Sequence, residues 1–353
     1  MTQPDNRLRV GVVLGGRSSE KEISLESGRN IFYNLDPSRY IGVPIFMDAQ
    51  SRLWEMTLPL LVQNTTADIE SRLEQGGQRI RYEALKERVD VVYLGLHGKW
   101  GEDGCFQGLL ELLDVPYIGS GVLGSALGMH KAVQRHVLRQ VGIDVPRWES
   151  IHQRQWESEP EAVHTLVAQQ MGYPCVVKPG REGCSTGLSV VRSADQLGAA
   201  IAQALRWDTT VLVEELIQGM EITVAVVGNE HLTVYPPTET PPKGDFLTIE
   251  EKFLPGEGNN ITPARLTETM LTHIQETVKR AYRVLHLKGF ARFDGFVVGE
   301  RFLMTEPNTL PGSSPSSTIF QGPAEDGVSP MALVDQVIQL ALEAHACKKG
   351  PLD

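Results

Sequence analysis

The sequence predicts an α/β chain with an open, mostly parallel N-terminal sheet followed by two α+β modules. Three observations lead there. Short β-rich runs alternate with amphipathic helical patterns along the chain. The first run, LRVGVVLGG (8–16), reads as a buried strand ending in glycines. Later runs such as RFDGFVVG and RFLMTEPN return across a two-residue GE turn, which marks a hairpin.

The elements follow in order. SSEKEISLESGRNIFYNL predicts a helix with Ser18 or Ser19 near its N-cap and carboxylates in its first turn. IGVPIFMD is the second strand, VDVVYLGLHG (89–98) the third, GCFQGLLELLDV a helix and VPYIG another short strand. These make residues 1–122 one module, whose ligands gather beyond the carboxyl ends of its strands. ALGMHKAVQRHVLRQVGI reads as one long helix opening a second module, 123–215. There YPCVVKPG, LSVV and VLVEELI are strands around the helix SADQLGAAIAQAL, in an antiparallel sheet with helices on one side. The third module, 216–353, holds the strands EITVAVVGN, HLTVYPP, RFDGFVVG and RFLMTEPN and the helices TETMLTHIQETVKRAYRVL and SPMALVDQVIQLALEAHA. The polar, Pro/Gly-rich segment 236–263 interrupts it, and a loop of that length inside a compact domain reads as functional and mobile.

Composition narrows the class. A formal net charge of −11 with no Lys/Arg run argues against nucleic acid or an anionic membrane surface as partner. No stretch approaches the ~18 apolar residues of a membrane span, and no signal peptide is visible at the start. Four scattered cysteines without a CxxC pair speak against a disulfide framework or zinc knuckle and for a reducing cytosol. An acidic cytoplasmic enzyme is the expectation.

Chemistry concentrates in three places. In ARFDGFVVGERFLMTEPNTLPG, Asp294 lies on one strand of the hairpin, with Glu306 and Asn308 on the other. Residues i and i+2 share a face, so two carboxylates and a carboxamide can converge into an all-oxygen site suited to Mg²⁺. A solvated strand face is the plainer alternative. Lys178 ends a strand immediately before GREGCSTG (180–187), a glycine-rich loop whose backbone N–H groups can cradle phosphate while the ammonium neutralises it. VLVEEL (211–216) ends a strand in two glutamates, with Glu221 close behind, and these acceptors suit an adenine amine and ribose hydroxyls. A charged sheet edge would look the same.

These pieces, in this order, resemble the ATP-grasp superfamily and within it the D-alanine–D-alanine ligases. The resemblance rests on LGGRSSEKEISLESG (14–28), LHGKWGEDGCFQGLLELLDVPYIGSGVLGSALGMHK (96–131), VVKPGREGCSTGLSVV (176–191), VLVEELIQGMEITVAVVG (211–228) and RFDGFVV…TEPNTLPG (292–312). It covers most of the chain in colinear order and is weakest over 48–88, over 236–263 and beyond Gly312.

The resemblance implies an ATP-grasp fold in which the second and third modules clasp ATP. It implies two Mg²⁺ ions (Mn²⁺ possible) held by Asp294, Glu306 and Asn308, and phosphate contacts from Lys131 and Lys178. The loop with Gly183, Cys184 and Ser185 closes over the phosphates, Glu214, Glu215 and Ile217 meet the adenine, and Glu221 meets the ribose. Arg292 and the Gly312 backbone stabilise developing negative charge, and Glu20 pairs with the ammonium of the first amino acid. His97 and Ser317 serve the second substrate, Lys252 is the basic residue of the mobile loop, and Phe253 stands where a tyrosine helps hold the first amino acid's site. The implied reaction joins two D-alanines through an acyl phosphate, for peptidoglycan precursor synthesis by a cytoplasmic homodimer.

The sequence departs from the family pattern at telling points. Cys184 stands where a serine is usual, Phe253 where a tyrosine is usual, His130 where an aspartate precedes Lys131, and the tail after Gly312 reads SSPSS. A thiol is a weak donor and a phenyl ring no donor at all, so the usual serine–tyrosine–glutamate hydrogen-bond chain is broken. Cys184 reads as a passive serine substitute, a redox-sensitive thiol or, against the chemistry of the family, a nucleophile. Among relatives phenylalanine accompanies acceptance of D-lactate, so a D-alanine–D-lactate or other D-amino-acid ligase is an alternative. A nucleotide-binding regulator without ligase activity is a further one, opposed by the retained Asp294, Glu306, Asn308, Lys178 and Arg292. A dinucleotide dehydrogenase has little support beyond Asp48, because LGGRSSE is not GxGxxG.

Overall fold

The computed structural model describes residues 6–183, 185–241 and 259–348. Three sheets follow one another along the chain. The first has strands β1 (Leu8–Gly15), β2 (Tyr40–Met47), β3 (Leu53–Met56), β4 (Gly77–Ile80) and β5 (Val91–Leu94), in the spatial order β4-β3-β2-β1-β5. The second has β6 (Trp148–His152), β7 (Cys175–Pro179), β8 (Ser189–Val191) and β9 (Thr210–Glu215), ordered β6-β9-β7-β8. The third has β10 (Met220–Val227), β11 (Thr233–Val234), β12 (Thr238–Glu239), β13 (Phe290–Val298) and β14 (Arg301–Asn308), ordered β11-β10-β13-β14 with β12 also on β10.

Only β2, β1 and β5 run parallel; β3 and β4 add an antiparallel edge. The mostly parallel sheet read from the sequence therefore needs correcting. The edge strands are four residues each, too short for a period of two to show against the short helical turns beside them. VPYIG contributes a single parallel bridge, Val92 to Tyr117, rather than a strand.

Two helix boundaries also differ from the sequence reading. The first helix, Lys21–Tyr33, begins after Glu20, and neither serine caps it. Ser18 Oγ donates to the His97 carbonyl (2.7 Å), and Ser19 Oγ donates to Glu182 (2.9 Å), so tertiary partners claim both hydroxyls. The long helix expected across residue 130 is two helices, Val122–Met129 and Lys131–Gln140. His130 (φ −88°, ψ 85°) breaks the ladder, and its ring nitrogen accepts from Val133 N at 3.4 Å. The restart puts Lys131 at a helix N-terminus, where its backbone N–H donates to the Gly180 carbonyl.

The cores do not follow the order of the chain. The closing helix Pro330–Ala346 packs Leu333, Val334, Val337 and Ile338 with Val10, Val12 and Val92 of the first sheet. Its Asp335 accepts from Tyr40 Oη and pairs with Arg39. Helix Lys131–Gln140 packs Ala132 and Leu138 with Ile274 and Val278 of helix Glu268–Val284, behind the third sheet. The second sheet covers one face with helices Pro160–Gln170 and Ala194–Ala204 through Val163, Val167, Leu197 and Ile201, as the sequence predicted. Its other face stays open for chemistry. Both described ends of the 236–263 segment are tied down: Thr238 Oγ1 meets Thr262 Oγ1, and Arg265 forks onto Glu239. No helix among the described residues is long and apolar enough to cross a membrane.

Asp48, the one acid that suited a dinucleotide, is a turn staple. It accepts from the backbone N–H of Gln50 and Arg52, from Arg52 Nε and from Trp54 Nε1. Burial pushes its carboxyl up, but these donors outweigh burial and hold it below the usual carboxylate range. Its contribution is therefore present above about pH 4 and lost as pH falls through the depressed folded value. Asp48→Asn should cost about 1–3 kcal/mol at neutral pH and flatten the acid limb of the stability curve, as measured by urea unfolding between pH 3 and 7.

Candidate active site

A cavity of about 420 Å³ lies between the open face of the second sheet and one face of the third. Strand register explains what lines it. On the second sheet Val190, Val176 and Glu214 stand opposite one another across β8, β7 and β9, and Lys178 lies two residues on from Val176 on the same face. On the third sheet Thr223, Asp294 and Glu306 align across β10, β13 and β14, with Glu221 two residues before Thr223. The hairpin geometry expected for Asp294 and Glu306 is thus observed, with a bulge immediately after Asp294.

The charges are paired across these rows. Lys178 Nζ lies 2.7 Å from Glu214 Oε1, while Arg135 Nη2 holds Glu214 Oε2. Burial pushes the Glu214 carboxyl up, but Arg135 and then Lys178 outweigh it and keep the group below its ordinary range. Burial pulls the Lys178 ammonium down, and Glu214 only partly offsets that. Lys131 Nζ donates to the Glu182 carbonyl (2.6 Å) and sits 3.1 Å from Glu306 Oε2. Burial opposes its charge, but the attraction of Glu306 raises it above the ordinary lysine value.

Asp294 accepts a bidentate fork from Arg292 (2.9 and 2.7 Å), a bond from Asn308 Nδ2 (3.0 Å) and one from Thr223 Oγ1 (3.1 Å). Among the described residues no three carboxylate, imidazole or thiol groups converge on one point. The candidate cation site is instead two carboxylates and a carboxamide, a hard oxygen donor set that fits a hydrated divalent ion of the Mg²⁺ kind.

A second zone lies where the first sheet meets the cavity. The Glu20 carboxylate is wedged between two glycines. A Cβ on Gly183 would come within 2.5 Å of its Oε1, and one on Gly98 (φ +70°) within 2.9 Å. Neither position tolerates a side chain while Glu20 stays in place. The glycine loop is held down by Glu182, whose carboxylate takes Lys99 (2.6 Å) and Ser19 (2.9 Å), and by Arg181, which forks onto buried Asp208. Ser185 adopts φ +59°, an uncommon conformation for a residue with a side chain.

Of the residues singled out from sequence, Lys131, Lys178, Gly183, Ser185, Glu214, Glu215, Ile217, Glu221, Asp294 and Glu306 line this one cavity. Arg292 and Asn308 adjoin it through Asp294. Two assignments change. The Glu214 carboxylate faces cations rather than standing ready for an adenine amine, and the Glu215 carboxylate turns to Arg147 (2.9 Å). This edge of the cavity is otherwise lined by Leu216 and Ile217 and by the apolar side chains Val176, Val190 and Phe296. His97 is buried with both ring nitrogens engaged: Nδ1 donates to Leu310 O (3.1 Å), and Nε2 accepts from Ser27 Oγ (2.8 Å), which in turn accepts from Ser313 N (3.0 Å). It holds the segment around Gly312 instead of presenting a nitrogen to a substrate. Ser317 Oγ lies 2.9 Å from Ser314 Oγ in that same segment. Cys184, Lys252 and Phe253 lie outside the described residues.

Sequence reasoning missed Arg135, Glu182 and Lys99. Arg135 follows Lys131 by four residues, the spacing that puts both on one helix face, so a signal existed. Nothing local marked Glu182 or Lys99, whose pairing joins segments 83 residues apart.

Comparison with known proteins agrees with this geometry. Residues 9–120 match the family described as D-ala D-ala ligase N-terminus, and residues 137–339 match D-ala D-ala ligase C-terminus. The D-alanine–D-alanine ligase of Syntrophobacter fumaroxidans is 38% identical over 339 residues, covering 96% of this chain and 98% of the relative. The VanG D-Ala:D-Ser ligase of Enterococcus faecalis superposes with a TM-score of 0.81 at 28% identity, over 95% of this chain and 99% of that one. A D-alanine–D-alanine ligase of Bacillus anthracis complexed with ATP superposes with a TM-score of 0.74 at 27% identity, over 96% and 99%. With both family segments matched in order and the ATP-grasp architecture present, this chain belongs to the D-alanine–D-alanine ligase family.

Proposed function

We propose that this chain uses ATP to activate the carboxylate of one D-alanine and joins it to the amine of a second, yielding D-alanyl-D-alanine, ADP and phosphate. The observation that carries the reading is the face-to-face arrangement of Lys131 and Lys178 with Asp294 and Glu306 in a single cavity. A carboxylate is an inert acyl donor. Its oxygen attacks the γ-phosphorus, the bond to ADP breaks, and an acyl phosphate forms. The second amine then attacks the carbonyl carbon, and the tetrahedral oxyanion collapses with loss of phosphate and a proton.

The residues divide this work. Lys131 and Lys178 turn from Glu306 and Glu214 toward phosphate oxygens, while Gly183 and Ser185 bring backbone to the phosphates. Ile217 and its neighbours flank the adenine, and Glu221 meets the ribose. Asp294, Glu306 and Asn308 would hold Mg²⁺, two ions in the full reading, which supplies charge neutralisation on the phosphate chain. Arg292 and the Gly312 N–H oppose oxyanion charge. Glu20, buried between Gly98 and Gly183, receives the first ammonium, and His97 acts by placing the Leu310–Ser313 segment, with Ser317, for the second substrate. The division into modules 1–122, 123–215 and 216–353, a homodimeric assembly and a cytoplasmic role in cell-wall precursor synthesis belong to the same reading.

Phosphate release with ATP, Mg²⁺ and D-alanine alone should proceed and yield the dipeptide. No release with any pair of D-amino acids, despite ATP binding, would leave the regulator reading instead. Paired reactions of D-alanine with D-lactate or D-serine test acceptor choice, and an ester product would establish the alternative that Phe253 suggests. Lys178→Ala should lower kcat/KM for ATP at least ~100-fold through lost transition-state charge neutralisation, while circular dichroism stays native.

A further inference from the structure

Arg135 has no solvent exposure and does not line the cavity, yet its guanidinium reaches the cavity wall through Glu214. The two oxygens of Glu214 are divided: Oε1 goes to Lys178, and Oε2 to Arg135. The Arg135 Nε and Nη1 atoms are buried without a hydrogen-bond acceptor, and the guanidinium carbon lies 5.8 Å from the Trp148 ring centre. A buried guanidinium so sparsely bonded is costly to keep for stability alone.

We propose that Arg135 is a positioning residue for the nucleotide site: it holds Glu214 as a permanent second cation, so that Lys178 can leave Glu214 for a phosphate without stranding a buried carboxylate. This rests on the reading of the cavity as a nucleotide site. Two cations share this one carboxylate, so a phosphate that draws Lys178 away leaves Glu214 still paired with Arg135. The part requires a positive charge behind Glu214, which arginine keeps when buried and which a lysine held by the same carboxylate also supplies. Among the described residues Arg135 and Lys178 are the two cations paired with Glu214, so without Arg135 each phosphate contact that Lys178 makes abandons that carboxylate.

The test compares ligands that differ only in phosphate. Affinities for ADP and for adenosine are measured by calorimetry on wild type, Arg135→Met and Arg135→Lys, with folding checked by thermal unfolding. Arg135→Met should weaken ADP about tenfold or more and leave adenosine within about twofold, and Arg135→Lys should recover most of the ADP affinity. Equal loss for ADP and adenosine would make Arg135 a packing residue and overturn the inference, as would unchanged ADP binding. Should Arg135→Met fail to fold, Arg135→Gln and Arg135→Lys replace it: a deficit confined to ADP and to the glutamine variant supports the role, and equal deficits refute it. A wild-type chain that binds no ADP would instead sink the proposed function, which separates the two failures.

Discussion

Charge balance among buried and half-buried side chains is the constraint on which this site depends. The second sheet presents Lys178 against Glu214 and Arg135, and the third presents Asp294 against Arg292 and Glu306 against Lys131. Each of these carboxylates already has a cation, and Lys178 and Lys131 are the two cavity-lining cations whose pairing an anion can replace. Breaking such a pair without replacement costs about 3–5 kcal/mol. An anion in the cavity can replace the partner of a lysine that it draws away, so the pairs hold one arrangement until such a ligand enters.

The same economy of space explains the glycines. Gly183 belongs to the glycine loop after β7, and Gly98 to the tip after β5 on the first sheet, yet both are kept bare by one carboxylate, Glu20. Lys99 and Ser19 of the first module hold Glu182 of the loop from the other side. The glycine loop therefore touches the first sheet's tip through hydrogen bonds as well as through packing. Glu182 and Gly183 are adjacent in the loop, so the bonds from Lys99 and Ser19 and the packing against Glu20 hold the same stretch of backbone.

Packing that crosses the chain order supports this arrangement. The last helix seals the first sheet, and helix Lys131–Gln140 sits on the third sheet while aiming Lys131 at Glu306 of that sheet and Arg135 at Glu214 of the second. The break at His130 is what turns that helix toward the cavity. Helical periodicity continues through HKAVQR, so the break has no signature in the pattern of apolar residues.

Much was legible beforehand because it is written in local chemistry. Strand runs ending in glycine, the hairpin placing Asp294 opposite Glu306, the lysine before the glycine loop and the glutamates ending β9 each follow from side-chain alternation and short turns, which neighbours in sequence decide. Partners of long side chains are decided otherwise. Glu214 suited an adenine amine until the fold brought Arg135 and Lys178 to its two oxygens, and His97 suited a substrate until Ser27 and Leu310 took both of its nitrogens. Sequence alone determined which groups the chain could offer and which strand faces carry them. Only the tertiary structure decided which of those charges meet, because Coulomb energy and burial depend on distances between segments far apart along the chain.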